Sequence, residues 1–463
     1  MAERLARRRE HIPNPILYTI LYGVVLIMKA KLKVKFTFKA RPAEDKGSFV
    51  LVSNHASRND YVFTVPAVWP RRLNFVVGYN EFFRFPTALL LKAAQVIPKR
   101  NFVPDVHTIQ SVMRIIRQGG HVMFMPEGMS SITGMCQPVM PGTGKLLKKL
   151  GVNVYYTKIS GGYLTYTKHC LDERVGRTEV VVDKMFSPEE LASLTDVEIE
   201  DKMNMLLAHD DYLWNLEAGV RFAGKGQMAK RLDTLLYMCP KCGAMYRMSC
   251  EGNVMTCTAC GNKVEVGEDY SIRPVGTDSV VAPVVEAVRT CGLAAGTVVE
   301  SVDSAVDSGG GRASVVDSGD GRARVPVVTD WTIMERRRAA EDVRKPGFSF
   351  SDRVKVGMLP DYRYLTGDST SELCGEGVLT LTAAGLHFEG TVKGTLRAFD
   401  IPISGLPTYG MCTDISRFYT FIDGVFYEFY PERGEVLRWD HLTEEMHRFR
   451  GGKWQDTPYR QGR

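Results

Sequence analysis

Short apolar segments alternate with helical segments from about residue 48 to residue 190. Five of these segments are short, rich in β-branched or aromatic residues and free of polar alternation, which is typical of buried strands: residues 49–52, 75–77, 122–125, 152–156 and 180–182. The clearest helical pattern covers residues 106–118 and stops at Gly119-Gly120. This alternation predicts an α/β unit, in which a mixed or parallel sheet is flanked by helices.

The second half of the chain has a different pattern. Residues 306–313 and 316–323 form a short tandem repeat in a stretch rich in Val, Ser, Asp and Gly. Two copies of eight residues are too few for a solenoid, so we expect a flexible linker over residues 269–328. A charged helical segment follows over 329–349. Residues 350–463 then read as a small β domain, either a sandwich or a barrel, with a hairpin turn at Asp423-Gly424 and a closing helix over 442–449.

The amino terminus combines an apolar run with flanking positive charge. The unbroken apolar stretch, residues 16–28, is shorter than the ~20 residues that a spanning helix requires. It lies between two basic groups: Arg7, Arg8 and Arg9 before it, and Lys29, Lys31, Lys33 and Lys35 after it. A secretory signal would instead continue with small residues and a cleavage site. We therefore predict a membrane-interface anchor over residues 1–46, with a buried amphipathic helix as the alternative.

Composition indicates the class of protein, and the distribution of charge indicates the kind of partner. With 463 residues, 44% hydrophobic and 24% charged, the chain is a globular protein of two or three units. The net charge of +6 comes from residues 1–46, which contain eleven Lys or Arg against four Asp or Glu. Such a local excess favours one anionic partner, such as a membrane lipid surface. It argues against nucleic acid, which normally requires clustered positive charge.

Four of the ten cysteines form two closely spaced pairs. Cys239 and Cys242 are separated by two residues, as are Cys257 and Cys260, and a glycine follows each pair. Glycine allows the tight turn that brings two sulfurs to one ion, so the spacing predicts a zinc ribbon over residues 236–268. Four thiolates close the coordination sphere, which makes the expected zinc structural. The alternative is two disulfides or four free thiols.

A histidine and an aspartate follow the first predicted strand of the α/β unit. His55 and Asp60 are five residues apart, which on a continuous helix places them about 140° apart. They can meet if His55 lies in the turn before a helix that Ser57 caps and that carries Asp60 on its first turn. Asp60 would then orient the imidazole, whose other nitrogen could take a proton from a substrate hydroxyl. The alternative is that Ser57 and Asp60 form only a capping box.

Four motifs in this region resemble those of the lysophosphatidic acid acyltransferase (1-acyl-glycerol-3-phosphate acyltransferase) family. They are Asn54-His55-x4-Asp60, Val-Ile-Pro-Lys-Arg at 96–100, Phe-Met-Pro-Glu-Gly-Met-Ser-Ser at 124–131 and Gly-Val-Asn-Val-Tyr-Tyr-Thr at 151–157. The resemblance covers about residues 48–165. The combination with a zinc ribbon and a β-rich tail is similar to one bacterial branch of the family.

The resemblance implies an acyltransferase domain over residues 47–235. Its expected reaction in phospholipid synthesis moves a fatty acyl group from a coenzyme A or acyl-carrier protein thioester to lysophosphatidic acid, at the cytoplasmic face of the cell membrane. His55 would be the general base and Asp60 its orienting partner, with no catalytic cofactor. The implied substrate-binding residues are Asn54, Lys99, Arg100, Glu127 and Gly128, with Arg100 gripping the phosphate.

Two departures from the family motifs leave other functions open. Met129 and Ser130 stand where the family usually has Thr and Arg, so one phosphate-contacting cation is absent. Another acceptor, such as glycerol phosphate or a lyso-aminolipid, is therefore an alternative. A further alternative is a binding module, in which the ribbon engages a partner and the acyltransferase core is degenerate.

Overall fold

The amino-terminal unit is built on a seven-stranded mixed sheet. The computed structural model describes residues 5, 7–284, 317–318 and 322–452. The seven strands are β1 (Val34–Phe38), β2 (Phe49–Ser53), β3 (Leu73–Gly78), β4 (Ile97–Lys99), β5 (His121–Phe124), β6 (Asn153–Ser160) and β7 (Thr178–Phe186). Their order is β1-β7-β6-β2-β5-β3-β4, and the β6–β7 pair is antiparallel while the other pairs are parallel. The five predicted strands are confirmed, and β1 and β4 are additional.

Helices pack against both faces of this sheet. They are α1 (Pro15–Lys31), α2 (Tyr61–Val68), α3 (Thr87–Ala93), α4 (Val106–Arg117), α5 (Thr143–Leu150), α6 (Gly162–Thr165), α7 (Pro188–Ser193), α8 (Asp196–Leu207) and α9 (Asp211–Ala218). The central strand β2 is fully buried because its alternating side chains enter two different cores. Val50 and Val52 join the cluster of α4, whereas Phe49 and Leu51 join the cluster of α2.

Strand β1 corrects the predicted extent of the basic anchor. Residues 34–38 fall within the predicted anchor 1–46, yet they pair in parallel with β7 and so belong to the sheet of the α/β unit. The prediction assigned Lys35 to the basic flank of a membrane helix, whereas the structure places this lysine in a strand. Lys35 alternates with the half-buried Val34 and Phe36 and is exposed, as expected for the solvent side of an edge strand.

The four-cysteine region forms a small antiparallel sheet. Its strands are β8 (Met248–Glu251), β9 (Val254–Cys257), β10 (Lys263–Val266) and β11 (Ile272–Pro274), in the order β11-β10-β9-β8. Strand β11 lies within the predicted linker 269–328, which therefore begins later than expected, since β11 completes the ribbon sheet. The first repeat copy, 306–313, lies outside the described residues. Within the second copy, β12 (Asp317–Ser318) pairs antiparallel with β13 (Arg322–Ala323).

The carboxy-terminal region is one antiparallel sheet with two helices. Its elements are α10 (Val328–Val343), β14 (Ser349–Met358), β15 (Glu372–Thr382), β16 (Gly385–Val392), β17 (Thr395–Pro402), β18 (Gly410–Met411), β19 (Phe418–Ile422), β20 (Val425–Pro431) and α11 (Val436–Phe449). The strand order is β17-β16-β15-β14-β20-β19-β18, and the predicted Asp423-Gly424 hairpin is confirmed. The predicted sandwich or barrel is wrong. Trp439 of α11 packs its ring on Phe350 and Phe418, so a helix covers the sheet in place of a second sheet.

Helix α10 joins the ribbon, the α/β unit and the carboxy-terminal region. Trp331 Nε1 donates to Met238 O in the ribbon segment at 2.8 Å. Thr329 Oγ1 donates to Asp210 Oδ2 of the α/β unit at 2.7 Å. Arg336 forms buried ion pairs with two glutamates of α11. The predicted units therefore share a continuous core in the described part of the chain.

We expect Trp331→Ala to destabilise all three regions together. The indole is completely buried, so its removal leaves a cavity and an unpaired Met238 carbonyl, at a cost of about 3–5 kcal/mol. Urea unfolding followed by tryptophan fluorescence and by circular dichroism measures the loss. The matched control is Tyr362→Ala, whose side chain is 96% exposed. Equal stability of the two variants would contradict the joining role of α10.

Candidate active site

The loop that carries His55 begins where the central strand β2 ends. In sheets of parallel strands, the carboxyl ends of the strands form the edge at which ligands bind. Two contacts fix the loop to the neighbouring strand β6. Ser53 Oγ donates to Thr157 O at 2.9 Å, and Asn54 exchanges two hydrogen bonds with the backbone of Ile159, at 2.9 and 2.8 Å. His55 is thus placed at this edge by backbone pairing and by its two preceding side chains.

The side chains of His55 and Asp60 form the predicted pair. His55 Nδ1 lies 2.9 Å from Asp60 Oδ2. The carboxylate is buried, with 2% of its side chain exposed, whereas the imidazole is 24% exposed. The other oxygen, Asp60 Oδ1, accepts hydrogen bonds from the Ser57 N–H at 2.8 Å and from Ser57 Oγ at 3.1 Å. The arrangement lets Asp60 hold one imidazole nitrogen while the ring reaches solvent.

Ser57 does not cap a helix as predicted. Helix α2 begins at Tyr61, and Asp60 is its N-cap residue rather than a member of its first turn. The predicted capping box is replaced by a tight turn over residues 57–60, because Asp60 uses its carboxylate on Ser57 and His55. The outcome for the site is the one expected: the histidine precedes the helix and the aspartate starts it.

Burial and hydrogen bonding shift the pKa of Asp60 in opposite directions. Burial raises the pKa of this carboxyl above its usual value, and the hydrogen bonds from His55 and Ser57 lower it again. Three donors on one carboxylate favour its ionised form. An ionised Asp60 holds the imidazole hydrogen on Nδ1 and leaves the lone pair of His55 Nε2 available.

The third motif holds the main chain of His55 from both sides. Glu127 Oε1 accepts the His55 N–H at 2.7 Å, and Glu127 Oε2 accepts the Gln137 N–H at 2.6 Å. Ser131 N–H donates to His55 O at 2.8 Å. Glu127 is buried, and both of its oxygens are used on backbone. These contacts position His55, and the prediction that Glu127 also shapes the acceptor site stays a prediction.

Two more predicted substrate-binding residues have structural roles. Asn54 is buried and its amide bonds to the backbone of Ile159, while its substrate contact stays a prediction. Gly128 has a φ of +79°, and a Cβ there would lie 3.3 Å from Met140 Cγ. Glycine is required at this turn because a side chain would be both strained and crowded.

Arg100 and Lys99 provide positive charge at the end of β4. The Arg100 guanidinium carbon lies 5.2 Å from the centre of the Tyr79 ring. Arg100 Nε is buried and has no hydrogen-bond partner among the described residues. Burial lowers the pKa of Lys99, and Asp105 raises it. A buried guanidinium N–H without a partner can donate a hydrogen bond to an anion. This is consistent with the predicted phosphate contact of Arg100.

The four clustered cysteines are arranged to hold one metal ion. Their sulfurs lie within 4.8 Å of one another, with Cys239–Cys260 at 3.7 Å and Cys242–Cys257 at 3.8 Å, and none forms a disulfide. A tetrahedral ion with metal–sulfur bonds of about 2.3 Å requires sulfur separations of about 3.8 Å. The thiols therefore fit a zinc ion. Four such ligands fill its tetrahedral coordination sphere and leave no position for a substrate or water.

The two cysteine pairs have the same backbone conformation. In each pair the glycine N–H four residues on donates to the carbonyl of the first cysteine, from Gly243 to Cys239 and from Gly261 to Cys257. The two glycines have φ values of +71° and +72°. The predicted need for glycine after each pair is confirmed.

The comparisons with known proteins agree with the α/β unit. Residues 33–159 match the family model described as Acyltransferase. This region is similar to acyltransferases. The match begins one residue before β1 and includes His55, Asp60, Arg100 and Glu127.

One solved structure and one negative finding complete the comparison. The crystal structure of the 1-acyl-sn-glycerophosphate (LPA) acyltransferase PlsC from Thermotoga maritima aligns with 15% identity and a TM-score of 0.33. The alignment covers 43% of this chain and 82% of that chain. No curated protein matches the chain significantly.

The contacts around His55 include residues that sequence reasoning did not select. Ser131 supports His55 through its backbone, and backbone contacts leave no signal in the sequence. Lys168 donates to Ser130 Oγ at 3.0 Å, from a position 38 residues along the chain with no motif around it. A cavity of about 460 Å³ elsewhere, lined by residues such as Pro141 and Ser404, includes none of the predicted site residues.

Removal of zinc is expected to destabilise the ribbon. Purified protein should contain one zinc ion per chain, and Cys257→Ser should lower both its zinc content and its thermal unfolding midpoint, because metal binding contributes to folding free energy. Elemental analysis and thermal unfolding measure the two quantities. Cys374→Ser, a half-buried cysteine outside the cluster, is the control. Retention of zinc by Cys257→Ser would contradict a four-thiolate site.

Proposed function

We propose that this protein is a membrane-associated acyltransferase that acylates the free hydroxyl of 1-acyl-glycerol 3-phosphate to give phosphatidic acid. The acyl group comes from a thioester of coenzyme A or of an acyl-carrier protein. The observation that carries the proposal is the 2.9 Å contact between His55 Nδ1 and Asp60 Oδ2, with Nε2 free of protein partners among the described residues. The match of residues 33–159 to acyltransferases supports the same reaction class.

The chemistry requires one base and one positioned acceptor. His55 Nε2 takes the proton of the acceptor hydroxyl as its oxygen attacks the thioester carbonyl carbon. Asp60 stabilises the imidazolium that forms. The carbon–sulfur bond then breaks, the thiolate leaves and receives a proton, and the new ester is released. The acyl group passes directly from sulfur to oxygen.

The acidic head of the acceptor requires cationic partners. Arg100 offers a guanidinium whose Nε has no partner, and Lys99 is the adjacent cation on the same strand end. A fork of N–H donors suits a phosphate monoester. These contacts support phosphate as the acceptor's head group.

Helix α1 offers an apolar face to a lipid surface. One face packs on α2, where Tyr22 stacks on Trp69 at 3.9 Å between ring centres and Tyr18 and Val25 are buried. The opposite face exposes four apolar residues: Ile16, Ile20, Val24 and Ile27. None of the described helices is long and apolar enough to cross a bilayer. An exposed apolar stripe beside exposed lysines supports binding in the plane of an anionic interface.

The end of helix α1 lies beside the start of α2, the helix that follows the catalytic loop. Tyr61, the residue after Asp60, has its hydroxyl 3.3 Å from the sulfur of Met28 near the end of α1. Lipid substrates would therefore meet His55 near the surface that binds the bilayer. We propose the cytoplasmic face of the cell membrane as the location, because lysines attract anionic lipids there.

We expect His55→Ala to lower kcat by about 10²–10⁴-fold, the usual contribution of a general base. Thioester release is measured with acyl-coenzyme A and 1-acyl-glycerol 3-phosphate, using the full chain in mixed micelles. The matched control is His387→Ala, because His387 also contacts an aspartate, Asp400, at 2.8 Å, but on the exposed carboxy-terminal sheet. The control should retain wild-type activity.

Other outcomes distinguish the alternatives. Thioester release with glycerol phosphate alone would replace the proposed acceptor while keeping the reaction class. Wild-type rates in His55→Ala would reject catalysis at this pair. No release with any acceptor would favour a binding module.

The double variant Ile20→Ser/Ile27→Ser should bind vesicles tenfold more weakly or worse, since each side chain loses burial in the interface. Sedimentation with phosphatidylglycerol-containing vesicles measures the partition. Leu396→Ser is the control, because this exposed leucine lies on β17 of the carboxy-terminal sheet. Equal partition of both variants would show that α1 is not the interface.

A further inference from the structure

Lys168 is a buried cation with an incomplete set of partners. Its side chain is 7% exposed, and its ammonium donates one hydrogen bond, to Ser130 Oγ at 3.0 Å. In the described part of the chain no carboxylate comes within the 4.0 Å of an ion pair with this nitrogen. An ammonium has three N–H donors. In Lys168 one of them bonds to the neutral hydroxyl of Ser130, and the other two have no acceptor among the described residues.

This arrangement costs stability unless a ligand completes it. A buried charge is normally neutralised, and an unpaired one costs several kcal/mol. Burial lowers the pKa of Lys168 to about 8, while Cys412, Glu81, Asp414 and Asp440 raise it from a distance. The group is therefore largely cationic at neutral pH, and a hydroxyl is its one close partner.

The position of Lys168 relates it to the candidate active site. Ser130 lies in the turn 127–131, in which Glu127 and Ser131 hold the main chain of His55. The carboxy-terminal region supports the segment that carries Lys168, because the Asp414 N–H donates to Lys168 O at 2.8 Å. Lys168 thus reaches, from another part of the chain, the turn that holds the main chain of His55.

We propose that Lys168, together with the Ser130 hydroxyl, binds the acidic group of the acyl acceptor, a phosphate monoester. The inference rests on the proposed function, because it assigns the anion to the acceptor. Lys168 is on this account a binding residue of the acyltransferase site, and the carboxy-terminal region is needed to hold it there.

The first test separates the acidic acceptor from a neutral one. Lys168→Met should raise KM for 1-acyl-glycerol 3-phosphate by about 10- to 100-fold, as expected for a charged hydrogen bond. KM for the thioester should not change, nor should any slow turnover of 1-acyl-glycerol, which lacks the phosphate. Lys149→Met removes an exposed lysine of α5 and should behave as wild type. An unchanged KM in Lys168→Met would overturn the inference and leave the proposed function standing.

The second test exchanges the positions of the two groups. Ser130→Arg combined with Lys168→Ser moves the cation across the hydrogen bond and should recover most of the lost acceptor affinity. A structural lysine would not be replaced in this way. Failure of recovery, with the protein folded, would contradict a charge-based role.

The third test uses stability and requires no activity. Lys168→Met should unfold at the same temperature as wild type or higher, because it removes an unneutralised buried charge. Glycerol 3-phosphate should raise the midpoint of wild type but not of Lys168→Met. If the variant does not fold, the inference is wrong, since Lys168 then stabilises the protein.

The stability measurements also separate the two claims. An inactive wild type that glycerol 3-phosphate stabilises through Lys168 would refute the proposed reaction and keep the anion site. An inactive wild type with equal stabilisation of both proteins would refute both.

Discussion

The hydrogen bond between His55 Nδ1 and Asp60 Oδ2 is the contact on which the candidate active site depends. It exists because the loop between β2 and α2 is held in place along its length. Asn54 bonds the loop to β6, Ser57 holds the free oxygen of Asp60, and Glu127 takes the His55 N–H. Asp60 engages Nδ1 of the imidazole, and Nε2 has no partner among the described residues. The imidazole of His55 is therefore oriented by hydrogen bonds between buried polar side chains and the backbone, and not by packing alone.

The rest of the molecule supports that loop through a shared core, through direct contacts to the motif region and through helix α1. The ribbon, α10 and the carboxy-terminal sheet share one core with the α/β unit, so their folding is coupled to that of the site. Contacts reach the motif region directly: Met411 N–H lies 3.0 Å from the sulfur of Met129, and Asn101 Nδ2 donates to Tyr419 OH at 3.0 Å. Helix α1 contributes differently, since it packs one face and leaves the other apolar and exposed. The proposed reaction on lipid substrates would require both a rigid polar site and such a surface.

Local signals in the sequence were reliable where the structure depends on nearby residues. The turn at Asp423-Gly424 is found where it was predicted. The glycines after the cysteine pairs adopt the expected conformation, because each turn is decided by its own backbone. Predictions that required distant contacts were weaker. β1 was assigned to the anchor because Lys35 continues the basic flank of α1, although this lysine lies on the exposed side of an edge strand. The carboxy-terminal domain was expected to be a sandwich or barrel capped by a helix. The helix is found, but the strands form a single sheet, which α11 covers.

The sequence alone predicted five of the seven strands of the amino-terminal sheet, the cysteine cluster and the meeting of His55 with Asp60, because each depends on spacing along a few residues. The tertiary structure alone decided the roles of Asn54 and Glu127 and the meeting of Lys168 with Ser130. Those contacts join residues between 38 and 105 positions apart, so no local pattern encodes them. They arise only when strands and helices are packed, since burial then obliges each polar group to find a partner.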